Sequence, residues 1–177
     1  MGKLLVLSDS HGNMAALVAV LRWAVGELTD SDMAVFLGDG LRELPFARQQ
    51  AGLSCAWKRV RGNNDDAPAV PESDVFDFGG HHFYVCHGHH HSLYSNFDKL
   101  IACARSNNAD AALFGHIHAP YLADADGILL VCPGGISRAR SNAGETFAVI
   151  DCEPDKPLAV QFWGIDPGGE IRQIKKN

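Results

Sequence analysis

The chain has 177 residues, and its 15 Lys and Arg against 21 Asp and Glu give a formal net charge of -6 at pH 7. This acidic balance excludes binding to long duplex nucleic acid through bulk charge, because that mode needs a basic surface. The length and the 46% hydrophobic content predict a single globular domain over residues 1–177 with a core of its own.

The sequence also indicates the cellular compartment. No apolar run approaches the roughly 20 residues that span a membrane, and the run that ends at Leu7 is too short for the apolar core of a signal peptide. Five scattered cysteines without a Cys-x-x-Cys pair favour reduced thiols over a disulfide framework. We therefore expect a cytoplasmic protein with no membrane partner, and assembly into a homo-oligomer stays open.

Strands and helices alternate in the first half of the chain. Short apolar runs are typical of strands buried on both faces, and Asn13 is placed to cap the first amphipathic helix. The predicted strands cover residues 3–7, 34–37 and 55–60, and the predicted helices cover 14–25 and 41–51. This βαβαβ order favours a parallel sheet with helices on its faces.

Strands dominate the second half. A glycine pair at 79–80 predicts a hairpin turn, and the spacing of Tyr94, Phe97 and Leu100 predicts a helix that packs these side chains in the core. The predicted helix covers residues 94–106, and the predicted strands cover 75–78, 82–86, 111–114, 128–132, 146–150 and 158–163. We therefore expect a second, more antiparallel sheet packed on the first.

Polar residues follow five of the predicted strands directly, and each group contains a glycine. The ligand-type residues among them are Asp9, His11, Asp39, Asn63, His87, His116 and His118. In open α/β sheets, ligands bind beyond the carboxyl ends of the strands. Each motif alone is typical of an ordinary turn, but their joint occurrence after successive strands predicts one functional site.

This set of side chains predicts a metal site. Two Asp, four His and one Asn exceed the needs of one ion and suit two ions that share a carboxylate. The absence of thiolates from the set favours manganese first, with iron, zinc, nickel or cobalt as alternatives. Two such ions form the usual clamp for displacement at phosphorus, in which a metal-bound hydroxide attacks. A small phosphate ester is therefore the expected substrate.

The motif set resembles that of the calcineurin-like metallophosphoesterases, in particular their small bacterial and archaeal phosphodiesterase branch. The resemblance covers Lys3 to about Ser141, and it rests on Asp-x-His, Gly-Asp, Gly-Asn-x-Asp, His-Gly-His and Gly-His-x-His blocks. It implies a four-layer αββα sandwich with two mixed β-sheets, the metallo-dependent phosphatase fold. It also implies a dinuclear site at the strand ends.

The resemblance assigns the ligands to two ions. It implies that Asp9, His11 and His118 hold the first ion. It implies a second ion on Asn63, His87 and His116, with Asp39 as the bridging carboxylate. Asn63 takes the ligand position because it directly follows the glycine of its block, and in the expected reaction it also holds the phosphoryl oxygens.

One departure from the family pattern bears on the reaction. Phosphomonoesterases of the superfamily often place a protonating histidine directly after the ligand asparagine, where this chain has Asn64. Diesters and activated esters are therefore favoured, with Asn64 and Arg138 as substrate-binding residues and His89 as a catalytic residue that donates the proton. Arg140 lies just beyond and is a second candidate for phosphate contact, although ordinary surface arginines explain both positions equally well.

Two alternatives remain. One is a phosphomonoesterase or nucleotide phosphatase of the same superfamily. The other is a non-enzymatic interaction scaffold, since a eukaryotic trafficking subunit shares this small fold with a degraded metal site. The complete ligand set of this chain favours catalysis.

Overall fold

The computed structural model describes residues 2–166 and 168–174, which contain eleven strands and three helices. The helices are α1 (Met14–Glu27), α2 (Leu44–Ala51) and α3 (Asp98–Ser106). The strands are β1 (Gly2–Leu7), β2 (Met33–Phe36), β3 (Ala56–Arg59), β4 (Ser73–Phe78), β5 (His81–Cys86), β6 (Ala111–Phe114), β7 (Pro120–Ala125), β8 (Ile128–Pro133), β9 (Glu145–Cys152), β10 (Ala159–Ile165) and β11 (Ile171–Gln173).

The strands form two mixed sheets. The first sheet has six strands in the order β11-β10-β9-β1-β2-β3, and the second has five in the order β4-β5-β6-β8-β7. Strands β1, β2 and β3 run parallel, as do β5, β6 and β8. Five of these six strands, all except β8, end at the loops that hold the polar motifs.

Alternating burial along the strands builds four layers. In β1, Leu5 and Leu7 pack against α1 and α2, whereas Leu4 and Val6 face the second sheet. The second sheet repeats the pattern, with Phe83 and Val85 of β5 in the core between the sheets and α3 packed on its outer face. Side chains two apart in a strand share a face, so the two sheets lie between outer helices. The predicted four-layer αββα fold is confirmed.

The hairpin between β4 and β5 forms at the predicted glycine pair. Phe78 pairs with His81, which leaves a two-residue turn at Gly79 and Gly80, with φ angles of 59° and 85°. Two consecutive positive φ values define the turn that matches the twist of antiparallel strands, and glycine adopts them without steric cost.

Some predicted elements were wrong in extent or position. The helix predicted from residue 41 begins at Leu44, because residues 41–43 form a turn. The helix predicted from residue 94 begins at Asp98, so Tyr94 precedes it and is exposed instead of packing in the core. Strands β7 and β11 were not predicted. Strands β9 and β10 join the first sheet, so the antiparallel strands are shared between both sheets.

Backbone hydrogen bonds join the loops at the carboxyl ends of the strands. The N–H of Asp9 donates to the carbonyl of Gly38 at 3.0 Å, and the N–H of Ser137 donates to the carbonyl of Asp9 at 3.1 Å. The loop after β1 is thereby fixed to the loops after β2 and β8, which belong to different sheets. Among the described residues, no helix is both long enough and apolar enough to cross a membrane.

Candidate metal centre

Strained backbone marks the loops at the strand ends. Asp9, His11, Asp39, His116 and His118 have φ angles of 55°, 43°, 58°, 69° and 54°. Residues with a side chain rarely adopt this left-handed region, which costs on the order of 1–3 kcal/mol for each residue. Such strain persists only where the surrounding structure imposes it, and it commonly occurs at functional sites.

The first group of ligand atoms consists of Asp9, His11 and His118. The Oδ1 atom of Asp9 lies 3.2 Å from Nε2 of His118 and 3.7 Å from Nε2 of His11. The two Nε2 atoms face each other at 3.2 Å. Nitrogens that each lie about 2.0–2.1 Å from one zinc-sized ion are about 3 Å apart. The spacing of this group therefore fits one ion.

The second group consists of Asp9, Asp39 and His87, all buried. Nε2 of His87 lies 3.4 Å from Oδ2 of Asp39 and 3.9 Å from Oδ1 of Asp9. Within the described residues, Oδ1 of Asp9 and Nε2 of His87 are buried without a hydrogen-bond partner. A buried polar atom without a partner is costly, and a cation between these atoms would satisfy both. The residues present therefore fit a bound metal.

Asp39 contacts both groups. Its Oδ2 atom lies 3.7 Å from Nε2 of His11 in the first group and 3.4 Å from Nε2 of His87 in the second. Asn64 fixes this carboxylate, since its backbone N–H donates to Oδ1 at 2.8 Å and its side-chain amide donates to Oδ2 at 2.6 Å. Asp39 therefore lies close to histidine nitrogens of both groups.

Hydrogen bonds to the far side of two imidazoles orient them. Nδ1 of His87 donates to the carbonyl of Leu37 at 2.7 Å. Nδ1 of His118 donates to the carbonyls of Ser137 and Arg138, each at 3.1 Å. A histidine that donates from Nδ1 presents Nε2 as the ligand atom, which is the usual arrangement at metal centres.

Asp65 has a role that the sequence analysis missed. Its Oδ1 accepts the N–H groups of Gly40 and Leu41 at 2.9 and 2.8 Å, and its Oδ2 accepts those of Asp39 and Gly62 at 2.7 and 2.8 Å. This carboxylate therefore holds the loops after β2 and β3 together. Its place in the Gly-Asn-x-Asp block was the available signal, because aspartate commonly accepts backbone N–H groups in loops.

Gly62 allows the loop after β3 to approach Asp39 closely. A Cβ atom there would lie 2.1 Å from Oδ1 of Asp39 and 2.7 Å from its backbone nitrogen. Any side chain at this position would displace Asp39. The glycine of this block is therefore explained by close packing.

The carboxylates are held in their charged form. Burial alone would raise the pKa of Asp9, but its close contacts with His11 and His118 and the charge of His87 hold that pKa well below its ordinary value. Burial likewise opposes ionisation of Asp39, yet His87 and neighbouring N–H donors lower its pKa to about 2. Both side chains can serve as anionic ligands at neutral pH.

The histidines respond to the same charges in opposite ways. Burial would lower the pKa of His87, but the carboxylates of Asp39 and Asp9 outweigh it and raise that pKa. Contact with Asp9 raises the pKa of His118, whereas burial and the charge of His87 lower the pKa of His116. Metal binding needs neutral imidazole, so an ion would displace protons from His87 and His118.

The remaining predicted residues other than His89 line a small cavity together with members of both groups. The cavity has a volume of about 140 Å³ and is lined by His11, Asp39, Asn63, Asn64, His116, His118, Arg138 and Arg140. The ring of His116 lies 5.2 Å from that of His87. Asn63, Asn64 and both arginines are exposed at its mouth. The structure thus brings the predicted metal ligands and substrate-binding residues to one place.

His89 lies beside the second group. Its ring is 5.5 Å from that of His87 and 6.4 Å from that of His116, and its Nδ1 is buried without a partner among the described residues. Burial and the charges of His90 and His87 lower the pKa of His89. His89 and His90 also approach Glu72. However, Glu72 already pairs with the guanidinium of Arg61 at 2.8 Å. This ion pair disfavours binding of a metal cation at Glu72.

Comparisons with known proteins agree with this geometry. The family model of the calcineurin-like phosphoesterase superfamily domain matches residues 3–155. A probable metallophosphoesterase from Mycoplasma pneumoniae is 32% identical over 144 residues, which are 80% of this chain and 83% of that protein. The probable metallophosphoesterase YsnB from Bacillus subtilis is 26% identical over 171 residues, covering 97% of this chain and 95% of that protein. A predicted phosphoesterase of known structure from Streptococcus pneumoniae superimposes with a TM-score of 0.77, at 27% identity and 97% coverage of both chains.

The αββα fold, the converging Asp and His side chains and these matches together define a metal-dependent phosphoesterase. By the family match and its relatives, the chain belongs to the calcineurin-like phosphoesterase superfamily. Divalent metal ions are the cofactors that this family implies, and the ligand groups of the chain are suited to hold them.

Proposed function

We propose that the protein is a dinuclear phosphodiesterase that hydrolyses small phosphate esters. The carrying observation is the pair of ligand groups that meet at Asp9 and Asp39, with buried ligand atoms left without partners. Asp9, His11 and His118 would hold the first ion. The second ion would be held by His87, His116 and Asn63, and Asp39 would bridge the two.

Divalent ions in such a site lower the pKa of water to form the nucleophile and neutralise charge on the phosphoryl oxygens, and manganese suits these ligands. The chain supplies positioning. Asn64 fixes the carboxylate of Asp39, and Asp65 fixes the backbone that carries it. Asn63 and Arg138, at the mouth of the cavity, would bind the non-bridging oxygens of the phosphate.

His89 would protonate the leaving oxygen. The family position for a protonating histidine holds Asn64, whose side-chain amide donates to Asp39 and has no acidic proton to give. His89 is half-buried beside His87 and His116, with its Nδ1 engaged by no other described residue. The asparagine at that family position favours diesters and activated esters over monoesters with poor leaving groups, whose cleavage depends most on a proton donor placed there.

The surroundings of the site support a small substrate in a reducing compartment. The cavity is smaller than the roughly 300–1,000 Å³ of sites that enclose a drug-sized ligand. All five cysteines are free thiols, four of them buried. Free thiols are typical of the cytoplasm.

The test compares two nitrophenyl substrates with purified, Mn²⁺-loaded protein. We expect hydrolysis of bis(p-nitrophenyl) phosphate with a higher kcat/KM than that of p-nitrophenyl phosphate. Asp39→Asn should lower kcat/KM by more than about 100-fold, because loss of a direct ligand exceeds the 10–100-fold typical of residues behind the ligands. Asp126→Asn is the matched control, since Asp126 is exposed in the turn between β7 and β8.

Three outcomes would contradict the proposal. Absence of diester hydrolysis with Mn²⁺, Fe²⁺, Zn²⁺, Ni²⁺ or Co²⁺ would exclude a phosphodiesterase. Preference for the monoester would favour the phosphomonoesterase alternative. Equal activity of the Asp39 and Asp126 variants would separate the activity from this site.

A further inference from the structure

An exposed aromatic side chain lies directly beside the metal centre. Tyr94 is 63% exposed, although its ring lies only 5.5 Å from the ring of His116. Its hydroxyl donates to the backbone carbonyl of His116 at 3.0 Å. This contact fixes the ring at the rim of the cavity, and most of its surface stays open to solvent.

A guanidinium group completes this rim. Nη1 of Arg140 donates to the hydroxyl of Tyr94, and the guanidinium carbon lies 5.7 Å from the centre of the tyrosine ring. The backbone N–H of Arg140 donates to the carbonyl of His118 at 2.9 Å. Tyr94 and Arg140 are therefore held by backbone contacts to two predicted metal ligands, and their aromatic and cationic groups form one platform.

The size of the cavity indicates what this platform would contact. The volume of about 140 Å³ is well below the roughly 300–1,000 Å³ of sites that enclose a drug-sized ligand. It can receive a phosphoryl group, but a larger ester group must extend over the rim. Arg140 lines the cavity and is bonded to His118 of the first group, whereas His89 lies beside His87 and does not line the cavity. The Arg140 side of the platform therefore lies across the cavity lining from the proposed proton donor, and we assign the platform to the ester group that stays on phosphorus.

We propose that Tyr94 and Arg140 form a subsite for a planar aromatic or heteroaromatic ring on the ester group that remains on phosphorus, a proposal that rests on the proposed phosphodiesterase function. Exposed aromatic rings stack with any of the nucleic-acid bases, and a guanidinium adds cation–π attraction. The substrate class is therefore a diester with one planar ring beyond the scissile phosphate.

The first experiment keeps the leaving group constant. It compares kcat/KM for thymidine 5′-(p-nitrophenyl phosphate) and methyl p-nitrophenyl phosphate, both of which release p-nitrophenolate. We expect the wild-type protein to prefer the thymidine ester by about tenfold or more. Tyr94→Leu should reduce this ratio about tenfold, and Tyr94→Phe should retain it, because the ring remains. The ratio cancels any effect that loss of the hydroxyl has on His116.

A matched control and one clear result decide the outcome. Phe46 on α2 is 65% exposed, so Phe46→Leu removes a comparably exposed ring from outside the cavity lining and should leave the ratio unchanged. An unchanged ratio in Tyr94→Leu would overturn the subsite. A general loss of stability in Tyr94→Leu would lower kcat/KM for both substrates by the same factor. The ratio would then stay as in the wild type, and this result would also count against the subsite.

The second experiment needs no turnover. Calorimetric titration of the Mn²⁺-loaded protein with adenosine 5′-monophosphate and ribose 5-phosphate should show about tenfold tighter binding of the former, and Tyr94→Leu should abolish the difference. Equal binding of both ligands by the wild type would overturn the proposal. If neither diester is hydrolysed, the phosphodiesterase proposal fails, and this titration still decides whether the ring subsite exists.

Discussion

At the scale of single residues, the site depends on a carboxylate that is not itself a predicted ligand. Each carboxylate oxygen of Asp65 accepts two backbone N–H groups from the loops of Asp39 and Gly62. Both oxygens are therefore fully used as hydrogen-bond acceptors. The left-handed backbone of Asp39 is one of the strained conformations that such contacts must impose.

Asp65→Asn should be more harmful than its small change in shape suggests. An amide has one acceptor oxygen, so its NH₂ group must face one of the two pairs of N–H donors. We expect a loss of about 3 kcal/mol in the free energy of unfolding. Mn²⁺ affinity should fall about 10–100-fold, as for other residues that orient metal ligands. Urea denaturation of the metal-free protein and calorimetric Mn²⁺ titration measure the two effects.

Asp66→Asn is the control for this substitution, since Asp66 is the exposed neighbour of Asp65 in the same loop. It should change both quantities only slightly. Wild-type Mn²⁺ affinity in Asp65→Asn would show that the N–H contacts do not position Asp39.

At the scale of elements, a second aspartate joins β1 to the turn before β2. The buried carboxylate of Asp32 accepts the N–H of Lys3 at 2.7 Å and the N–H and hydroxyl of Thr29 at 2.7 and 2.9 Å. Burial alone would raise the pKa of Asp32, but these donors outweigh it and hold the pKa below its ordinary value. The ionised form is therefore the one that stabilises the fold.

The pH dependence of Asp32→Asn follows from that direction. A carboxyl group whose pKa is lower in the folded state contributes stability above its unfolded pKa and loses it as the pH falls through the folded value. We expect the wild type to exceed the variant by about 1–2 kcal/mol at pH 6–7, and the difference to shrink towards pH 3. Urea denaturation over this pH range checks it, with Asp126→Asn as control. A constant difference would contradict the assignment.

The sequence predicted those elements whose buried residues form a recognisable apolar pattern within the element itself. Strands such as β1, with every residue from Leu4 to Leu7 buried, carry an unmistakable apolar run. In contrast, β7 has no buried residue and β11 has only three residues, so neither has a periodic signal. Tyr94 shares helical spacing with Phe97 and Leu100 but lies in a turn, because its hydroxyl binds the backbone of His116.

The same contrast applies to the site. The predicted metal ligands and Arg138 converge because they follow strands whose carboxyl ends meet, which a strand pattern can predict. Asp65 and Tyr94 act through hydrogen bonds between loops that are distant in sequence, and local patterns do not encode such contacts. The placement of β9 and β10 in the first sheet is likewise a matter of long-range pairing.

At the scale of the whole molecule, metal binding should contribute to folding stability. The ligands come from loops of both sheets, so an ion would join the two halves of the sandwich and would bind only the folded chain. At a free concentration about 100 times its dissociation constant, such an ion adds about 2.7 kcal/mol to the free energy of unfolding. For a chain of this length that corresponds to a rise in Tm of about 5–10 °C.

Thermal unfolding followed by circular dichroism, with Mn²⁺ and then with excess chelator, measures this rise and its reversal. His118→Ala removes a ligand of the first group and should abolish most of the rise. His90→Ala should retain it, because His90 is exposed and belongs to the separate group near Glu72. Loss of the rise in His90→Ala but not in His118→Ala would place the stabilising ion outside the proposed centre. Equal rises in all three proteins would indicate binding that involves neither group.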